Sequence, residues 1–284
     1  MNSFMPSPTF KFLIGPEKRE YVLHSTLVAK QSSKLNMLIN GPMKEAEEKC
    51  VTWSDTNEGT FIRFCEFVYK GSYSEGKVTK RPIEKDIELE LDEADDNAVP
   101  PAPSSDPPSG PLPDLPPTPR ELHRVLPTVV GDSKEHLDHK GDRLRAKLGS
   151  LYPRMRPKRR MLRNTPEDDC SEMFLSHAQI YVFADYHCID ALQELALANL
   201  RQALTEYKVH KESCSDVTQL LSFSFESTAE ADKKTRTDQL RCLVSLFAAC
   251  NIEHLWNDAE FQDFTRENRD FSCCLIEAML ERLD

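Results

Sequence analysis

Fifteen of the nineteen prolines in this 284-residue chain fall between Pro82 and Pro166, in a stretch that contains PPAPSSDPPSGPLPDLPPTP. A proline ring holds φ near about −65° and removes the backbone donor, so neither a helix nor a sheet propagates through such a run. A globule packed over all 284 residues is therefore not expected. The distribution predicts an ordered part at residues 10–73, a disordered insertion at 74–170, and an ordered part that resumes at 171. Charge is segregated within the insertion: Glu84, Asp86, Glu88, Glu90, Asp92, Glu93, Asp95 and Asp96 come first, and PRMRPKRRMLR comes last. Opposite blocks of this kind attract within one loop.

Composition agrees with a partly unfolded chain. Thirty-six Lys plus Arg against 47 Asp plus Glu give a net charge of −11, with 29% charged and 39% hydrophobic residues. Mean hydropathy is −0.53. Part of such a chain buries too little apolar surface to offset its ordering entropy. No run approaches the roughly 18 apolar residues of a membrane span, and MNSFMPSPTF has no signal-peptide pattern, so neither a membrane protein nor a secreted one is expected. The nine cysteines, at 50, 65, 170, 188, 214, 242, 250, 273 and 274, are odd in number and irregularly spaced. They read as reduced, buried thiols of an intracellular protein in the nucleus or cytoplasm. There is no Cys-x-x-Cys, and the close pair His136 and His139 lies among charges, so no metal site and no cofactor are expected.

Local periodicity predicts an α+β fold. Phe10, Phe12 and Ile14, then Tyr21 and Leu23, alternate on either side of a GPEK turn, the signature of a hairpin. Two short helices follow, the second carrying Leu35, Leu38 and Ile39 and stopping at Gly41. Val51 and Trp53 mark a further strand, and Asp55 to Glu58 fits a capping box with Asp55 as N-cap. Phe61, Phe64, Cys65 and Val68 then recur at helical spacing, with Tyr69 on the same inward side and Gly71 as terminator. After the insertion, Ser176-x-x-Gln179 and Asp190-x-x-Gln193 each open a helix. The second carries Leu192, Leu195, Ala196, Asn199, Leu200 and Ala203. Three more helices are expected around 217–225, 240–250 and 271–283.

Taken in order, Gly15-Pro16, Tyr21-Val22-Leu23-His24, Ser32-Ser33-Lys34-Leu35, Gly41-Pro42-Met43-x-Glu45-Ala46 and Phe61-x-x-Phe64-x-x-Phe67-Val68-Tyr69-x-Gly71-x-Tyr73 resemble the BTB/POZ domain. Ile180 to Tyr186 and Leu192-x-x-Leu195-Ala196 resemble its last two helices. The wording NGPMKEA and YKGSY is closest to BTB proteins of filamentous fungi. The resemblance implies a BTB/POZ fold, a short sheet flanked by helices, split by the insertion. Its parts are a tail at 1–9, the N-terminal part of the domain at 10–73, the disordered insertion at 74–170, the C-terminal helices of the domain at 171–208 and a helical extension at 209–284. His24 is expected to hydrogen-bond the turn it ends. Only nine residues precede Phe10, fewer than the extra helix and strand exchanged in long-form BTB dimers, so homodimerisation by that exchange is not expected, and any homo- or hetero-oligomer would form through the BTB core or the C-terminal helices.

The resemblance also implies an interaction module without catalysis of its own. Met43-Lys44-Glu45 resembles the apolar-x-acidic motif by which BTB adaptors contact a cullin N-terminal domain, an apolar side chain entering a groove while a carboxylate accepts a charge-assisted bond. A substrate adaptor of a cullin-type ubiquitin ligase is the leading expectation. The alternative is a nuclear transcription or chromatin-associated scaffold, motivated by Arg154, Arg156, Lys158, Arg159, Arg160 and Arg163, a basic cluster suited to an import receptor or an anion. The net charge argues against nucleic acid as the main partner. No G-x-S-x-G, P-loop, G-x-G-x-x-G or H-E-x-x-H occurs, and no enzyme is expected. His187 and Cys188 are adjacent, and adjacent helical residues do not face each other. Ser104, Ser105, Ser109, Thr118 and Thr165 lie where a phosphate would add about −1.5 to −2 charge.

Overall fold

The computed structural model describes residues 8–81, 143–151, 164–228 and 238–281. The expected import cluster, Arg154 to Arg163, and the serines and threonine at 104, 105, 109 and 118 lie outside the described residues. What is described is a mixed α+β fold, mostly helical, with a small sheet.

Strand β1, Thr9–Ile14, buries every second residue, so Phe10, Phe12 and Ile14 face the core. It pairs antiparallel with β2, Arg19–His24, placing Phe12 opposite Tyr21. Gly15 in the connecting turn has φ +72°, the left-handed region where a side chain would strain the backbone. Strand β3, Cys50–Trp53, pairs parallel with β1, Phe12 opposite Val51, giving the order β2-β1-β3. A parallel neighbour needs a crossover. Three short helices supply it: α1, Ser25–Ala29; α2, Ser33–Asn40; and α3, Lys44–Glu48. Two were expected; the third is a single acidic turn too short to register as a period.

Helix α4, Glu58–Lys70, buries Phe61, Phe64, Phe67 and Val68. Its N-cap is Asn57, whose side chain accepts from the Thr60 amide at 3.2 Å, and not Asp55. Asp55 instead accepts from the neighbouring Ser54 hydroxyl in the turn after β3. Tyr69, expected inward, is 45% exposed. It lies eight residues beyond Phe61, about 80° off the buried stripe at 100° per residue. Its hydroxyl meets His24 Nδ1 at 2.8 Å and accepts from the His24 amide at 3.3 Å, so the histidine ties the end of β2 to α4.

The ordered fold reaches into the span expected to be disordered. At residue 76 the Gly amide donates to Ser176 Oγ at 2.9 Å, and a Cβ there would come within 2.4 Å of the Glu172 carbonyl oxygen. Strand β4, Thr79–Lys80, pairs antiparallel with β5, Asp168–Asp169. Residues 143–150 form helix α5, with Leu144 and Leu148 buried. Thr165 is held by Asp168, whose Oδ2 accepts from its amide and hydroxyl.

Helix α6, Ser171–Tyr186, starts five residues before the expected Ser176, which is buried in mid-helix and donates to the Met173 carbonyl. In α7, Asp190–Glu206, Asp190 is the first helical residue, not a cap; Gln193 donates to Asp185 and closes no capping box. A 3-10 turn, Lys211–Ser213, leads into α8, Cys214–Ser227. Then follow α9, Gln239–Cys250; α10, Ile252–Leu255; α11, Ala259–Glu267; and α12, Arg269–Leu280. Leu240, Leu243, Val244, Phe247 and Ala248 of α9 are all buried as their spacing predicts, whereas α10 and α11 were not foreseen. Helix α6 packs against α4, α7 and α8, and α9 against α8 and α12, so the extension is continuous with the core of the N-terminal part.

Two buried polar nodes fix these helices. Asp216 of α8, 1% exposed, accepts from Arg81 Nη2 at 2.5 Å, the Cys170 amide at 3.0 Å and the Tyr207 hydroxyl at 3.0 Å. Burial pushes its carboxyl above the ordinary range even though these donors favour the charged form. Arg241 of α9, 2% exposed, donates to the carbonyls of Phe225 (2.8 Å) and Thr228 (2.6 Å) and to Thr228 Oγ1 (2.7 Å), with its guanidinium 4.7 Å from the Phe225 ring. It therefore caps the C-terminus of α8 with a positive charge, where the helix dipole favours one.

Candidate protein-interaction site

Two surfaces among the described residues are candidates for a protein partner. The first is the turn between α2 and β3. Gly41 carries its amide to the Met37 carbonyl and, with φ −78°, leaves α2 in an extended conformation. Met43 then caps α3 through its backbone, its carbonyl accepting from the amides of Ala46 (3.0 Å) and Glu47 (3.3 Å). Its side chain is 47% exposed. Glu45, half-buried, is the second helical residue, and its own carbonyl accepts from the Lys49 amide. The two residues thus sit at the start of a helical turn. Met37 of α2 is also exposed, and α2 packs against α3. Flexible thioethers at a surface adapt to a partner's apolar side chains at small conformational cost.

The second surface is a groove of about 580 Å³ that joins the β3–α4 connection to the ends of α6 and α8, with Trp53, Asn57, Phe183, Tyr186, His187 and Phe223 among its walls. Helix α6 ends at Tyr186, and His187 turns its ring inward, 4.4 Å from the ring centres of both Trp53 and Phe183. Burial, and then the charge of Lys34, lowers the His187 imidazole to about 4, so it is neutral and apolar in character at neutral pH. Tyr186 is exposed, with Lys34 Nζ 3.7 Å over its ring. Cys188 follows with φ +55° and is exposed. The turn that ends the helix therefore separates the thiol from the stacked imidazole.

The structure does not join Met43 and Glu45 to this groove, and nothing in the sequence announces the groove, because Trp53 and His187 lie more than a hundred residues apart. Among the described residues no group of three His, Cys, Asp or Glu is placed to hold a metal ion, and no helix is long and apolar enough to cross a membrane. Compared with protein-family models, with curated proteins and with solved structures, the chain has no match.

Proposed function

We propose that this chain is a BTB/POZ-type interaction module that serves as a substrate adaptor of a cullin-type ubiquitin ligase. The observation that carries the proposal is Met43, an apolar side chain left 47% exposed at the start of α3 with a carboxylate two residues on. The sheet order β2-β1-β3, with β1 antiparallel to β2 and parallel to β3 and a helix pair behind it, supports the family resemblance. A fold of this kind hosts many functions, so the argument for a cullin rests on the turn and not on the sheet.

In this role the chain contributes position and no chemistry, and the helical extension and the aromatic groove are the surfaces open to a substrate. The test is titration of full-length protein with a cullin N-terminal domain by calorimetry, wild type against Met43→Ala plus Glu45→Ala. Burying a methionine is worth about 1.5–3 kcal/mol, so a loss of roughly tenfold or more is expected. Equal affinities, or no binding by the wild type, would overturn the adaptor role. Affinity purification that recovers chromatin components and no cullin would favour the nuclear scaffold, to which the six basic residues at 154–163 point.

A further inference from the structure

Among the described residues, helix α5 meets the rest of the fold through an apolar face, an ion pair and a hydrogen bond to its backbone. Leu144 and Leu148, four residues apart, are 2% and 3% exposed, and Leu151 packs beside them at partial exposure. They enter a groove formed by α7, α9 and α12. Lys147 forms an ion pair with Glu281 just beyond α12. Arg201 of α7 donates through Nη1 to the Gly149 carbonyl at 2.8 Å, so the groove supplies a cation to the C-terminal end of the helix lying in it.

The groove is larger than its occupant. A cavity of about 300 Å³ runs along one side of α5, between Leu151 and the α9 and α12 residues Cys242, Ser245 and Cys274. A second, of about 360 Å³, lies on the other side, between Leu148 and Leu204, Phe247 and His254. Both open to solvent, so among the described residues α5 fills only part of the groove and leaves room on either side for a bulkier helix. Ser245 Oγ, on a residue 2% exposed at the first cavity, has no hydrogen-bond partner among the described residues, and neither has Arg201 Nε. Buried polar atoms of this kind are nearly always paired in a completed interface.

We propose that the α7–α9–α12 groove is a docking site for a basic amphipathic helix of a partner protein, and that α5 is its exchangeable occupant in cis. The partner carries apolar residues at i, i+4 and i+7 that are bulkier than leucine, basic residues between them to meet Glu277 and Glu281, and its C-terminal carbonyls at Arg201. Displacing α5 exposes the groove; withdrawing the partner lets α5 close it. The inference is independent of the cullin adaptor role, because no residue of the α2–β3 turn takes part.

The test uses a fluorescein-labelled peptide of residues 140–151, KGDRLRAKLGSL, titrated by anisotropy into the full chain. Occupancy in cis lowers apparent affinity by the fraction of open groove. The full chain carrying Leu144→Asp plus Leu148→Asp is therefore expected to bind the peptide at least about tenfold more tightly than the wild type. Adding Arg201→Ala to that chain weakens binding again, and a peptide with Leu148→Phe and Leu151→Phe binds the opened chain more tightly than the native one. Equal affinity for wild type and opened chain, or no binding by an opened chain of native helix content, overturns the proposal. Should the opened chain fail to fold, hydrogen exchange on the wild type decides. Amides of α5 exchanging at least about 100-fold faster than those of α9 support exchange of the occupant, and equal protection overturns it.

Discussion

Replacing Arg241 by Ala removes a cap and barely touches an ion pair. The guanidinium satisfies two backbone carbonyls at the end of α8, those of Phe225 and Thr228, in a setting where the arginine itself is 2% exposed. Each buried carbonyl left unpaired costs about 1–3 kcal/mol. Loss of the guanidinium over the Phe225 ring adds about 1 kcal/mol. Its acidic neighbour Asp270, 3.3 Å away, is 44% exposed and is rehydrated on release, so that contact contributes less than about 1 kcal/mol. The expected loss is about 3–7 kcal/mol for Arg241→Ala, and less than about 1 kcal/mol for Asp270→Asn. Urea unfolding followed by far-UV circular dichroism measures both. A loss below about 1 kcal/mol for Arg241→Ala, or equal losses for the two variants, would refute the capping argument and return the residue to an ordinary salt bridge.

Three further outcomes are expected. Gly76→Ala forces a methyl to within 2.4 Å of the Glu172 carbonyl oxygen and 2.7 Å of its carbon, both backbone atoms, and should cost about 1–3 kcal/mol in the same assay. Asp216→Ala strands Arg81, the Tyr207 hydroxyl and the Cys170 amide and should cost about 3–5 kcal/mol; with Arg81→Ala added, a double-mutant cycle should show a total well below the sum. The His187 pKa is depressed to about 4 against about 6.5 unfolded, so its contribution is complete above pH ~6.5 and is lost as pH falls through that window toward ~4. Wild-type stability should fall by about 2 kcal/mol between pH 7 and 5, and His187→Phe, which keeps the ring stack, should flatten that slope.

What could be seen in the sequence was whatever had contrast along the chain. The β1–β2 hairpin alternates with period 2 and was legible, and the Leu240–Ala248 stripe of α9 was read although Arg241, Ser245, Leu246 and Ala249 on its other faces are buried too. Helix α6 lacks that contrast: Phe174, Ser176, His177, Ala178 and Phe183 are buried around most of its circumference, so its start was misplaced. Strands β4 and β5 are two polar residues each, defined only by pairing across the proline-rich stretch. Helix α10 is a single turn, and α11, although amphipathic, is anchored by only Phe261 and Phe264, a run too short to stand out. Met43 and Glu45 were visible as a motif, but not that they sit on a helical turn. Nothing in the sequence marks Arg241 and Asp216 as buried, since only the tertiary fold decides which charges are buried.

The contacts of Phe183 with Trp53 and Phe64, at 5.9 and 5.1 Å, join residues on either side of the proline-rich stretch. A ribosome finishes the sheet and α4 long before it reaches α6. At about 5–20 residues per second, the roughly 100 intervening residues keep the first half waiting for its covering helices for about 5–20 s. Through that interval Phe61, Phe64 and Trp53 stay uncovered on the nascent chain, so the first half carries an exposed aromatic face until α6 is made.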